Sequence, residues 1–557
     1  MKRTRYLTLL PLLLLLGGCG GESASPLPDA HESTAPAVTS APPESAPEAE
    51  TEKETESAET AAPAEKTVVY YSDFGAVGDG KHDDLSAITA AHAYANQHGL
   101  PVRAEEGKVY YIASTASTAV IGTDTDWTGA AFIIDDTSVT AKAAQRAHHV
   151  FEIAPSSAPA SVNVGSSVQK GQTSFELNLS GDVLLILTDD GKKQYIREGK
   201  NANDGSSMSD ITIVNQDGTV RPGTEVVWDF AAVTSAVAKV MEKKTLTVRG
   251  GTFTTIANRQ DSSSYYNRGI HVTRTNVTLD GITHLVEGEG AASAPYYGFL
   301  NLDECADITV KNCVFTGRKQ YSPGTYDIKM TRALNVTFEN CTQSNDILDT
   351  AYWGIMICHR TKNLTLKNCT FSRADAHSGF FNVSIIGCTL GHQCLNAIGG
   401  GTLLIEDSIL YGKHFVNLRS DYGSVWNGDL IIRNCTWVPN KGNTLSGNYA
   451  LIGGSYTGLH DFGYECGMPR NIVIENLHVD DSRAASGYGE LRILANIVEA
   501  WTSESYEKKI AAKGYPYSVP ETITISGFTT SSGKKWTLTK NNFMFRTVTV
   551  KDLDAAN

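Results

Sequence analysis

At 557 residues, with 41% hydrophobic and 19% charged side chains, the chain is globular and too long for one ordinary compact domain. Its net charge of −14 comes with no basic run, which excludes a nucleic-acid binder that would need clustered Lys and Arg. Fifty glycines against 18 prolines point to many tight turns, and so to β structure rather than helical bundles.

The first nineteen residues read as an export address. Lys2, Arg3 and Arg5 precede an apolar run from Leu7 to Leu16, and Gly17-Gly18-Cys19 closes it. The run is too short to span a membrane, and a basic head, apolar core and small-residue exit make a secretory signal. Leu16-Gly-Gly-Cys19 resembles the bacterial lipobox, which implies Cys19 as the site of lipid attachment. Residues 20–66 hold ten Glu and one Asp against two Lys, among Ala, Pro, Ser and Thr. Such a segment has too little apolar surface to fold, and its like charges extend it into a tether. The expectation is an exported chain, lipid-anchored to the bacterial cell membrane or outer membrane and facing the exterior.

Tyr71-Ser-Asp-Phe-Gly-Ala-Val-Gly-Asp-Gly-Lys-His-Asp-Asp84 leads into an Ala-rich helical stretch to about Gln97. Asp83 or Asp84 suits the N-cap, and the helix would plug the open end of a solenoid. This opening resembles that of pectate-lyase-like β-helix proteins, a superfamily that includes polygalacturonase-type glycoside hydrolases and many phage tailspikes. Cap and first coils take residues 67–154. Residues 155–230, with Gly181-Asp-Val-Leu-Leu-Ile-Leu187, read as a β-rich elaboration.

The main solenoid takes residues 231–482, and from Leu246 onward one phrase recurs: apolar, x, apolar, x, Asn or Gly, small or Cys, x, apolar. It occurs as Leu246-Thr-Val-Arg-Gly-Gly-Thr-Phe253, Ile308-Thr-Val-Lys-Asn-Cys-Val-Phe315 and Leu364-Thr-Leu-Lys-Asn-Cys-Thr-Phe371. Other copies begin at Val277, Val336, Val383, Leu403, Leu430, Ile472 and Ile523. Alternation with period two means strands, and recurrence at 19 to 31 residues over the first eight copies means a solenoid. The expected fold is all-β, a right-handed parallel β-helix with an N-terminal capping helix, finished at the far end by residues 483–557. Asn312, Asn340, Asn368, Asn434 and Asn476 fall at a bend, where Asn tolerates left-handed backbone and bonds its neighbours above and below. Nine cysteines follow Cys19, an odd number that does not suggest a disulfide framework. Cys313, Cys341, Cys369, Cys388 and Cys435 are expected as a buried column.

The resemblance implies that substrate lies along the strand after each coil's long loop. There Arg373-Ala-Asp375-Ala-His377 puts three ionisable groups at alternate positions, projecting to one side. The preceding coil offers Asp346 and Asp349, and stacking at strand spacing would bring one within about 5–10 Å of Asp375. Two carboxylates at that separation suit glycoside hydrolysis, with Arg373 lowering one pKa and His377 orienting a carboxylate or moving a proton. These five residues are the expected catalytic set. Asp327 and Lys329, outward beside inward Ile328 and Met330, join Tyr326, His392, Asn417, Arg419, Asp421 and Tyr422 as the expected substrate-binding set. Polygalacturonases carry Asn-Thr-Asp, Asp-Asp, Gly-His-Gly and Arg-Ile-Lys in this region. None of the four stands in the corresponding coils, so no catalytic residue transfers by motif.

The leading functional expectation is a surface-anchored carbohydrate-active enzyme, a glycoside hydrolase acting on an extracellular polysaccharide. The alternatives are a uronan lyase or C5-epimerase using Lys329, Arg373, His377, Arg419 and Tyr422, and a non-catalytic glycan-binding lipoprotein. No spacing suggests a metal site, and no cofactor is expected. The expected partners are a polysaccharide and, through the lipid, a membrane; nothing points to nucleic acid.

Overall fold

The repeated phrase supplies the rungs of a parallel ladder in the computed structural model, which describes residues 66–259, 264–290, 294–319 and 324–554. The signal, Cys19 and the tether up to Glu65 lie outside the described residues. Leu246 pairs with Val277, Val277 with Ile308, Ile308 with Val336 and Val336 with Leu364. The series continues through Val383, Leu403, Leu430, Ile472 and Ile523, so all ten copies stack in one register. Because side chains alternate across a strand, this register puts each inward aliphatic residue on its counterpart and builds one continuous core.

Asn312, Asn340, Asn368, Asn434 and Asn476 all take left-handed backbone, with φ between +49° and +54°. The Asn340 amide donates to the Asn312 side chain at 3.4 Å, Asn368 to Asn340 at 3.2 Å and Asn476 to Asn434 at 3.0 Å. The cysteines behind these bends are buried, and all nine described cysteines are free. Ser408 fills the gap in their column, its hydroxyl accepting the Cys388 N–H at 3.0 Å. Burial pushes the Cys435 thiol up to about 11, so the column acts as packing rather than as reactive thiolate. A second ladder runs through Asp307, Asn335, Asn363 and Asn382, with links of 2.7, 2.8 and 3.1 Å. Each of these residues stands directly before a phrase, a regularity the sequence analysis passed over.

Helix α1 (Leu85–His98) lays Leu85, Ile88, Ala91 and Ala95 into the open end of the core. The Tyr71 hydroxyl joins His92 Nε2 at 2.9 Å and accepts the Trp127 indole N–H at 2.7 Å. Asp83 accepts the Leu85 N–H at 3.1 Å, while Asp84 accepts the N–H groups of Val77 and Gly78 and so pins the glycine-rich turn.

Residues 160–240 form a separate four-stranded antiparallel sheet around Val183–Gln194. It has its own core of Phe175, Leu185, Leu187, Met208 and Phe230. This side sheet is fastened to the solenoid flank by Lys362–Asp210 at 2.8 Å, Arg221–Asp307 at 3.0 Å and Lys239–Glu304 at 3.2 Å. Beyond the last phrase the rungs continue to Thr549–Asp552, which pairs with Thr522–Ser526.

A second face of the solenoid is built from seven strands: β1 (Ile270–Val272), β2 (Tyr297–Asp303), β3 (Tyr326–Thr331), β4 (Met356–Lys367), β5 (Thr370–Ile386), β6 (Thr389–Ala397) and β7 (Val416–Leu418). They pair in sequence, all parallel, so their outward residues form rows across the coils.

Candidate functional site

Outward positions on β1 to β7 are filled by charged, imidazole and phenol groups instead of repeating residues. On β1 to β3, Asp303 accepts from His271 Nε2 at 3.1 Å and from Lys329 Nζ at 3.3 Å. Burial opposes the charge on Asp303, but Lys329 and His271 outweigh it and hold the carboxyl well below its ordinary range. The His149 ring stacks on His271 at 4.4 Å and extends this end of the row.

At the other end stands Asp375, wholly buried. Arg373 Nη2 lies 2.8 Å from one carboxylate oxygen, and Arg419 Nη1 lies 3.3 Å from both. Burial again opposes the charge, yet the two guanidiniums keep Asp375 ionised. Arg419 turns its remaining N–H groups on Asp421, Nε at 3.1 Å and Nη2 at 2.7 Å. Its Nη1 also donates to His377 Nδ1 at 3.2 Å. A guanidinium has no acceptor, so His377 Nδ1 must carry the lone pair and its proton resides on Nε2. Burial holds the His377 pKa below the ordinary histidine range, Asp375 pulling it up and Arg419 pushing it down, so the ring is neutral near pH 7.

Between the two ends lie two tyrosine–histidine pairs. The Tyr297 hydroxyl meets His359 Nε2 at 2.5 Å, and His359 Nδ1 meets the Ser378 hydroxyl at 2.8 Å. The Tyr422 hydroxyl meets His377 Nε2 at 3.5 Å. The two imidazoles touch edge to face at 5.2 Å. Each tyrosine has a cation 5.1 Å from its ring centre, Lys329 over Tyr297 and Arg419 over Tyr422. Burial raises both phenols, so each keeps its proton at neutral pH, and burial lowers His359 well below its usual range. At 12% side-chain exposure, His377 is where this group opens to solvent.

No protein-family model matches the chain. A depolymerase of Klebsiella phage P510, specific for capsule KL64, is 27% identical over 115 residues, which are 17% of this chain and 11% of that protein. The tailspike gp61 of Pseudomonas phage phi297 superposes with a TM-score of 0.53 over 87% of this chain and 84% of its own, at 12% identity. The tailspike gp49 of Pseudomonas phage LKA1 is 15% identical over 86% of this chain and 84% of its own, with a TM-score of 0.48. The chain is a right-handed parallel β-helix, the fold it shares with the phi297 tailspike.

In this β-helix the expected site residues separate into two groups. Arg373, Asp375, His377, Lys329, Arg419, Asp421 and Tyr422 share the strand face, and Asn417 joins it through Asn396, to which it donates at 2.6 Å. Asp346 and Asp349 do not stack on Asp375. Cys358 pairs with Ala376, which places Ile357 rather than the loop carboxylates opposite Asp375. The loop ahead of β4 spends those carboxylates on its own turns, Asp346 accepting the Leu348 N–H at 2.9 Å and Asp349 the Ala351 N–H at 2.8 Å. His392 ties the same loop down, its Nδ1 lying 3.0 Å from the Ile347 carbonyl.

Asp327 was expected to face outward and does not. The ladder shifts register between Tyr297 and Leu300, and the N–H groups of Asp327 and Ile328 share the Ile355 carbonyl. That irregularity breaks the simple alternation. Asp327 is buried, 2.8 Å from His284 Nδ1, 3.0 Å from the Thr316 N–H and 3.5 Å from Arg318 Nε. Tyr326 is likewise buried, in an aromatic cluster with Tyr265, Tyr297 and Trp353. Beside Asp327 lies a second knot: Asp136 takes Arg268 Nε at 2.7 Å and the Tyr296 hydroxyl at 2.9 Å, and Arg318 sits 3.8 Å over the Tyr296 ring.

His271, Asp303 and His359 were not among the site residues expected from the sequence. None of the three lies in a copy of the repeated phrase: His271 stands on β1, Asp303 at the end of β2, and His359 in β4 ahead of the copy that begins at Leu364. The usable signal was their place one residue from inward Ile270, Val272, Leu302 and Cys358, which alternation turns outward.

Proposed function

We propose that the protein cleaves an extracellular polysaccharide by β-elimination on the β1–β7 face, held outside the cell by lipid on Cys19. The observation that carries this reading is the pair of tyrosine–histidine units in edge-to-face contact, each under a cation. Carboxylic-acid catalysis at Asp375 is disfavoured by its burial and by its two guanidinium partners, which leave no proton to give. Lys329, Arg373, Arg419 and Arg197 stand against Asp303, Asp375 and Asp421, a surplus of one positive charge that suits a uronate carboxylate. The partial likeness to a capsule depolymerase supports a polysaccharide substrate.

Elimination needs a base at the carbon beside the carboxylate, neutralisation of that carboxylate, and an acid at the leaving oxygen. The C5 proton passes to the Tyr297 oxygen as that hydroxyl hands its own proton to His359 Nε2. The electron pair forms the C4–C5 double bond and the C4–O bond breaks. The leaving oxygen takes the Tyr422 proton, and the resulting phenolate is held by Arg419 and the His377 Nε2–H. Water then returns the protons.

The test is incubation of the full chain with a panel of acidic and neutral polysaccharides. Appearance of the ultraviolet absorbance of C4–C5 unsaturated uronates is the expected result. New reducing ends without that absorbance would make the protein a hydrolase, and retained binding without product would make it a glycan-binding lipoprotein.

A further inference from the structure

The side sheet sends one short segment across the solenoid to the open end of the row. Tyr195, just after the strand Val183–Gln194, takes left-handed backbone at φ +56°, which is rare for an aromatic residue. It is buried, packed 5.1 Å from the Tyr464 ring and 6.5 Å from that of Tyr422. A side chain on Gly379 would collide with its hydroxyl. The backbone is tied on both sides: the Ile196 N–H donates to the Phe462 carbonyl at 3.3 Å, His460 Nε2 lies 3.1 Å from the Ile196 carbonyl, and the Glu198 N–H donates to the Asp421 carbonyl at 3.0 Å. A strained aromatic residue persists only where its surroundings over-determine it.

These ties deliver Arg197, whose side chain is 3% exposed, to Asp421, with Nη2 2.8 Å from Oδ2. Asp421 is thereby held between two guanidiniums, and Arg419 between Asp421 and Asp375. We propose that Arg197 is a positioning residue. By bracing Asp421 from the side sheet, it holds Arg419 against His377 and keeps His377 as the neutral Nε2–H form that faces Tyr422. The inference rests on the elimination reading for its kinetic consequence, but its structural core is independent of any substrate.

The groups that face His377 are Asp375 on its own strand, His359 from the preceding coil, and Arg419 and Tyr422 from the following one, with Arg197 acting through Asp421. Removing the Arg197 charge takes away a cation that disfavours imidazolium, so the His377 titration midpoint moves upward.

The experiment uses the full chain labelled with nitrogen-15 histidine, the His377 signals being identified by their loss in His377→Gln. Arg197→Met and Arg197→Lys are compared with wild type across pH 5 to 8 (roughly the range in which histidines titrate). The expected result is an unprotonated Nδ1 and protonated Nε2 at the alkaline end in wild type with a midpoint below that of an ordinary histidine, a higher midpoint with mixed tautomers in Arg197→Met, and restoration in Arg197→Lys. On a cleaved polysaccharide, kcat falls about 10- to 100-fold in Arg197→Met and recovers in Arg197→Lys, while KM rises in Arg197→Met because the face loses its surplus positive charge. An unchanged His377 spectrum in a folded Arg197→Met protein overturns the proposal. If Arg197→Met does not fold, Asp421→Asn replaces it, and an unchanged spectrum there has the same force. A shifted spectrum without turnover of any polysaccharide by the wild type would uphold Arg197 and reject the elimination reading.

Discussion

Asp136 and Asp375 are both wholly buried carboxylates beside paired arginines, and their surroundings use that arrangement differently. Asp136 has one guanidinium in direct contact, Arg268, while Arg318 acts on it from beyond the Tyr296 ring. Burial therefore prevails and raises its pKa. Asp375 has Arg373 and Arg419 both within 3.3 Å, and there the cations prevail. The first knot is closed: the Tyr296 hydroxyl donates to the Asp136 carboxylate, the Asn258 amide donates to the Asp136 and Val139 carbonyls, and the remaining Arg268 N–H groups donate to the His148 and Ser114 carbonyls. The second leads outward through Arg419 to His377 and Asp421. An ion pair between coils is thus a structural tie or part of a reactive face according to what its arginine does with its remaining N–H groups.

Removing one hydroxyl from each region should separate the two most strongly. Tyr422→Phe should lower product formation by about 10²- to 10⁴-fold, the usual scale of lost acid catalysis. Tyr296→Phe, at the closed knot, should leave turnover near wild type and cost only stability. Equal losses in initial-rate assays would mean that the open face is not special.

Next in size, Asp375→Asn should destabilise the fold by about 3–5 kcal/mol, because it leaves buried guanidiniums without their counter-charge. Asp136→Asn should cost measurably less in urea titrations, since its carboxyl is already driven toward the neutral form. The reverse order would show that the closed knot carries more charge than its surroundings imply.

Acid sharpens the contrast further. His284 in the closed region and His377 in the open one are both pushed below the ordinary histidine range by burial. Below about pH 6.5 the unfolded chain takes up protons that the folded chain refuses, so stability falls as pH falls. Each ring contributes up to about 1.4 kcal/mol per pH unit in that window. Melting curves should therefore become less pH-dependent in both His284→Gln and His377→Gln, while only the second should alter the pH profile of turnover.

The smallest effect belongs to the loop carboxylates. Asp346→Ala and Asp349→Ala should each cost about 1 kcal/mol or less, the worth of one turn hydrogen bond, with turnover within a few-fold of wild type. A collapse of activity in either variant would return the catalytic centre to the paired-carboxylate arrangement expected from the sequence.

The solenoid follows from the periodicity of the chain. The ten phrases, the Asn bends and the inward cysteines were legible because a stacked coil meets nearly the same neighbours as the one before it, and so repeats the same residue types. Arg373, Asp375, His377 and Arg419 were legible as outward polar positions by alternation, whereas Tyr422 falls in the turn Ser420–Tyr422 beyond that alternation. Only the tertiary structure decided which of them meet. A register shift turned Asp327 inward, the pairing of Cys358 with Ala376 separated Asp346 and Asp349 from Asp375, and the side sheet brought Arg197 to Asp421. Contacts of this kind depend on where long loops and insertions close over the repeat, and no local period in the chain encodes that distance.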